Sequence, residues 1–185
     1  MRKIVAGLSI SLDGVIEDPN EWMGPWFNAE VGQAVGSMIA AQDAMLLGRV
    51  TYDAFAAHWP HQTGEMADTM NGTAKYVVSG TLKSADWQNT TVIPRDHAAE
   101  QIAELKRQPG KNIGMTGSGI LVSWLLREGL LDELHLLVFP VVLGHGKRLF
   151  AEPGGEVLAP AAGRVRLLVA EDQTARQGEV IARVD

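Results

Sequence analysis

Three glycines crowd the six positions from Gly114 to Gly119, in the stretch GMTGSGILVSWLL, and an apolar run follows at once. A phosphate at a helix start needs backbone N–H groups that no side chain shields, and the helix dipole favours its charge. Gly117, Ser118 and Gly119 meet that need, with the Ser118 hydroxyl as a further donor. The full G-x-G-x-x-G pattern is not completed, because Val122 stands where the third glycine belongs. The stretch therefore reads either as a phosphate cradle or as a tight corner feeding a core helix.

A second stretch repeats the theme. In Gly48-Arg49-Val50-Thr51 a glycine precedes a guanidinium that can grip a phosphate through two parallel hydrogen bonds. Thr51 adds a hydroxyl, and the alternative is an exposed arginine beside a capping threonine. Asp13 and Glu30 are the candidate acids: a carboxyl desolvated beside a cofactor ring could hold a proton near neutral pH and relay it. Asp13-Gly14 is equally a common turn pair, and Glu30 equally complements a helix dipole. His58, His61, His97, His135 and His145 are scattered without the spacing of a metal site, so no metal is expected. No serine sits in a nucleophile elbow and no Walker A sequence occurs, so hydrolase and kinase chemistry lack support.

These residues need elements to hold them. Lys3–Ile10 reads as a buried strand, and Ser11–Pro25 as an irregular loop rich in Gly, Pro, Asn and Asp. Asn28 is a helix N-cap with Glu30 in the first turn, the helix reaching about Ala41. Ala44–Leu47 is a short buried strand, and Thr51–Ala57 a helix stopped by His58-Trp59-Pro60. Lys75–Ser79 and Thr91–Ile93 are strands, and Asp96 caps a helix running to Arg107. Asn112–Thr116 is a strand feeding the glycine turn and a helix from Ser118 to Arg127. Glu133–Pro140 is a strand whose Leu134, Leu136 and Val138 alternate; a homodimer is expected, with that face as its surface unless the three simply face the core. The segment PVVLGHGKRLF from Pro140 to Phe150 reads as a hairpin bend, with a substrate-side loop as the alternative. Arg164–Ala170 and Glu179–Val184 read as a terminal hairpin. Strand–helix alternation followed by late strands implies an α/β fold: a mostly parallel sheet, helices on both faces, and an antiparallel C-terminal edge. Ligands of such sheets bind beyond the carboxyl ends of the strands, where Asp13, Gly48, Ser79 and Gly117 all fall.

The chain of 185 residues suits one domain, 1–185, with no repeat or linker. It has no cysteine, which removes disulfides, thiolate metal sites and cysteine nucleophiles. A net charge of −6 argues against nucleic-acid binding. No apolar segment is long enough for a signal peptide or a membrane helix, so a cytoplasmic protein without membrane contacts is expected.

The order S-x-D-G-x-I, P-W, L-L-G-R-x-T-Y, V-V-S, the glycine turn and P-x-x-x-G-x-G-x-x-L-F resembles the dihydrofolate reductase-like superfamily. More narrowly, it resembles the reductase domain of bacterial riboflavin biosynthesis and its stand-alone relatives, over nearly the whole chain. The resemblance implies an NADPH-dependent oxidoreductase of the dihydrofolate or aminouracil reductase type, acting on a pterin-, pyrimidine- or similar heterocyclic substrate. A ligand-binding paralogue without turnover is the alternative. By the same resemblance Gly48, Arg49 and Thr51 hold the adenosine-side phosphates of NADPH, and Ser79 lies near the 2′-phosphate. Gly117, Ser118, Gly119, Ile120 and Leu121 match the pyrophosphate turn, and Ala6 and Ile16 flank the nicotinamide. Asp13 matches the aspartate of the substrate-side loop. Glu30 falls near the acidic residue that dihydrofolate reductases carry on their first helix.

Overall fold

The computed structural model describes residues 1–150 and the backbone of 164–168. Seven strands form one sheet: β1 (Ile4–Ser11), β2 (Gln42–Gly48), β3 (Ala74–Ser79), β4 (Thr90–Pro94), β5 (Asn112–Met115), β6 (Glu133–Phe139) and β7 (Arg164–Leu168). Their order is β4-β3-β2-β5-β1-β6-β7, and every pair among the described residues is parallel. The α/β class read from sequence, with a parallel sheet and helices on both faces, is observed, but its antiparallel edge is not. Arg164–Leu168 runs parallel to β6, and the 24 residues from 140 to 163 exceed the dozen or so that a parallel connection needs. The expected partner, Glu179–Val184, lies outside the described residues.

The helices are α1 (Pro19–Trp22), α2 (Ala29–Ala40), α3 (Arg49–His58), α4 (Glu65–Gly72), α5 (Ala98–Arg107) and α6 (Gly119–Arg127). Alternation within the strands sorts them onto two faces. Ala44 and Leu46 of β2 join Ile102 and Leu105 of α5 and Leu121, Val122 and Leu125 of α6 in the main core. Met45 and Leu47, pointing the other way, meet Tyr52 of α3 and Met70 of α4. Val31 of α2 packs on Leu137 and Phe139 of β6. Helices therefore cover both faces, as a parallel sheet requires.

Several local expectations hold. The Asn28 carboxamide accepts the Val31 N–H at 3.0 Å and opens α2 as its N-cap. Others are corrected. Asp96 does not cap α5: it sits inside a single 3-10 turn, Arg95–His97, and α5 starts after it. The loop before Asn28 contains α1 and a further 3-10 turn, Gly24–Trp26. Leu134 and Leu136 are buried in the core and Val138 packs against it, so their alternation faces inward.

At the edge where the strands begin, charged groups are locked together. Arg2 is buried, donates to the Lys111 carbonyl and pairs with Asp43. Lys106 meets Asp132 at 2.6 Å and the Leu130 carbonyl at 2.9 Å, while Asp132 accepts the Ile4 N–H at 2.7 Å. Lys75 is wholly buried, its ammonium donating to the carbonyls of Met70, Asn71 and Thr73 and lying 4.1 Å from the Trp87 ring centroid. Burial pushes that ammonium down to about 8.

Candidate active site

At the opposite edge β2 and β5 are neighbours in the sheet: β2 ends in Gly48 and passes straight into α3, and β5 ends in Met115 and reaches α6 through Thr116, Gly117 and Ser118. Gly48 is the N-cap of α3 and Ser118 the N-cap of α6, and neither helix has a side-chain cap. Helix geometry leaves the first-turn N–H groups without intrahelical partners, so two sets of donors stand side by side. Glycine makes the contact possible. A Cβ on Gly48 would collide with the Ser118 side chain, and one on Gly117 would lie 2.8 Å from Thr51 Oγ1. Gly117 also holds φ at +142°, where a side chain is strained. A Cβ on Gly119 would overlap Ile16. The glycine turn is thus seated on both the β2 exit and the loop after β1.

The residues singled out from sequence separate into groups. Gly48, Thr51, Gly117, Ser118, Gly119 and Ile16 come together. Leu121 points into the core, so only its backbone faces the turn, whereas Ile120 is 76% exposed on the rim. Ala6 is wholly buried within β1, in register with Met115 and Leu134. Ser79 is buried, and its hydroxyl oxygen accepts the N–H groups of Thr81 (3.2 Å) and Leu82 (3.0 Å), closing its own turn. Glu30 is exposed in the first turn of α2.

Arg49 is less free than sequence suggests. Its Nε donates to both carboxylate oxygens of Asp53 at 2.7 Å, and its Nη1 reaches Thr81 Oγ1 at 3.5 Å. The (i, i+4) spacing on α3 was a readable signal for Asp53; Thr81 depends on the Ser79 turn. Arg49 stands at the lip of a cavity of about 470 Å³ between α3 and the β3–β4 crossover, lined also by Tyr52, Asp53, Ser84, Asp86 and Trp87. Trp87 is held by its N–H on Tyr52 Oη and its indole N–H on Asn71 Oδ1 at 2.7 Å.

Asp13 is fully engaged. Its carboxylate accepts the N–H groups of Leu143 (3.1 Å) and Gly144 (2.9 Å) and the Ser11 hydroxyl (2.7 Å), and Arg148 Nη2 approaches at 3.2 Å. These donors, the Leu143 N–H foremost, hold its carboxyl well below the usual carboxylate range. Glu17 is likewise lowered, chiefly by its bond from Lys147, whose ammonium is raised in turn. Ile16 donates to the Lys147 carbonyl and Leu149 to that of Gly14, so the loop after β1 and the loop after β6 are stitched into one strap. The segment expected to be a plain bend is one side of that strap.

Residues 2–175 match the model of the RibD C-terminal domain. The chain belongs to the RibD C-terminal domain family. It is 31% identical to the uncharacterised protein YyaP of Bacillus subtilis (strain 168), over 82% of this chain and 81% of that one. A protein of Shewanella sp. PV-4 named for riboflavin biosynthesis has a similar fold, with a TM-score of 0.61 at 22% identity, over 83% of this chain and 86% of that one. The Thermotoga maritima diaminohydroxyphosphoribosylaminopyrimidine deaminase/aminouracil reductase shares the fold too, with a TM-score of 0.59 at 14% identity. That match covers 86% of this chain and 51% of the Thermotoga chain. Among the described residues no helix is long and apolar enough to cross a membrane, and no group of side chains could hold a metal ion.

Proposed function

We propose that the chain is an NADPH-dependent reductase that delivers hydride to a pterin-, pyrimidine- or related heterocyclic substrate. The observation that carries this reading is the contact of two helix N-termini without side-chain caps, interlocked through Gly48, Ser118, Gly117 and Thr51. Such a pair of donor sets suits a pyrophosphate, and family membership points the same way.

In this reading the backbone of Gly117–Leu121 holds the pyrophosphate, Gly48 and Thr51 the adenosine side, and Arg49 with Thr81 the 2′-phosphate. NADPH, when bound, supplies a hydride to an electrophilic carbon of the substrate. Asp13 serves as the anchor of the strap, since its carboxylate is held ionised and has no proton to relay at neutral pH. Ile16 and the strap limit the mouth of the site and orient the ring against it. Water at the open rim provides the proton that accompanies the hydride.

Calorimetric titration with NADPH tests the reading, and saturable binding is expected. Its absence ends the proposal. Binding without oxidation across pterins, aminopyrimidines and aldehydes would instead assign a ligand-binding paralogue without turnover. Glu30→Gln should leave kcat within about threefold, because Glu30 is exposed. A loss of about 100-fold or more, with the fall in rate toward alkaline pH abolished, would make Glu30 the proton donor.

A further inference from the structure

The cavity beneath Arg49 carries an unusual balance of charge for a phosphate-reading site. Arg49 lines it together with two carboxylates, Asp53 and Asp86, so the charged lining is net negative. Lys83 lies between the lining residues Leu82 and Ser84 in sequence but does not line the cavity. The pair Arg49–Asp53 is already formed, with both Asp53 oxygens on Nε, so the guanidinium's inner edge is occupied. Only its Nη groups, on the side of Thr81, face an incoming ligand.

Two chemistries meet such a pair differently. A phosphate dianion gains from the Nη edge but sits close to carboxylates of its own sign, and like-charge approach offsets attraction. A ribose hydroxyl gives up the guanidinium contact but can donate to a carboxylate oxygen, and brings no charge. We infer that this site accepts the phosphorylated and unphosphorylated dinucleotides, NADPH and NADH, with only a small difference in affinity. Asp53 is the specificity-determining residue that narrows the gap, and Asp86 reinforces it. This inference rests on the cofactor reading given above and deepens it.

Calorimetry with NADPH and with NADH on the native chain and on Asp53→Asn and Asp86→Asn tests it. The native chain should favour NADPH by no more than about tenfold. Each variant should bind NADPH about threefold to fivefold more tightly and NADH within about twofold of the native value. Asp86→Asn makes no change to Arg49's own partner, so it separates charge from the geometry of the pair. A native preference for NADPH beyond about 100-fold, or variants that leave the ratio unmoved, would overturn the inference while leaving the cofactor reading intact. Failure of both dinucleotides to bind would overturn the cofactor reading and the inference together.

Discussion

Where the strands begin, Arg2, Lys106 and Lys75 are buried, and each charge is met by a carboxylate or by backbone carbonyls of the same chain. Where β2 and β5 end, two helices start without side-chain caps and glycines hold the turns against each other. The same kinds of polar group are saturated at one edge and left facing outward at the other. Saturated groups fix the sheet in place. Groups aimed outward from a fixed sheet can bind a ligand without rearranging, which is what pre-organisation means physically.

The sharpest way to break this contrast is at the saturated edge. Lys106→Met leaves Asp132 and the Leu130 carbonyl without their partner, and should lower stability by about 2–3 kcal/mol in urea denaturation. NADPH affinity should stay within about twofold in the folded variant, and a parallel loss would mean the two edges are not independent. At the outward-facing edge the expectation reverses. Arg49→Ala should weaken NADPH by about tenfold and NADH by no more than about threefold, with little change in thermal midpoint. Equal losses for both dinucleotides would remove Arg49 from the 2′-phosphate.

The smallest effect concerns the strap. Asp13 is held below its ordinary value of 3.8, so the bonds it makes contribute stability above that pH. As pH falls below it, protonation removes acceptors and the contribution is lost. The thermal midpoint of the native chain should therefore exceed that of Asp13→Asn by a constant margin from about pH 7 to about pH 4, and the margin should shrink below that. A margin that grows on acidification would contradict the ionised state assigned to Asp13.

How much of this was legible in the sequence depended on the distance over which each feature acts. Strand–turn–helix units carry local signals, so GRVT and TGSG could be assigned to strand ends. The cap at Asn28 needs only Val31, three residues on. Asp13 was legible as a polar loop residue but not as an anchor, because Leu143, Gly144 and Arg148 lie some 130 residues away. The helix Glu65–Gly72 escaped because EMADTMNG carries no strong period and follows Gly64, which sits at φ +103°. The parallel course of β7 was not legible, because strand direction depends on which strand it pairs with and not on its own residues. Asp53 was in plain view four residues from Arg49, but that it takes the Nε edge is visible only in the folded chain.

Arg2 has a practical consequence. Its side chain is pinned under the sheet by Asp43 and the Lys111 carbonyl, while Met1 next to it is 94% exposed. Anything joined ahead of Met1, whether an affinity tag or a second folded module, would leave the molecule from the saturated edge. The eight residues of β1 put about 26 Å of strand between that exit and the glycine turn. An amino-terminal tether is therefore the natural handle for immobilising this protein, with the glycine-turn edge facing solution.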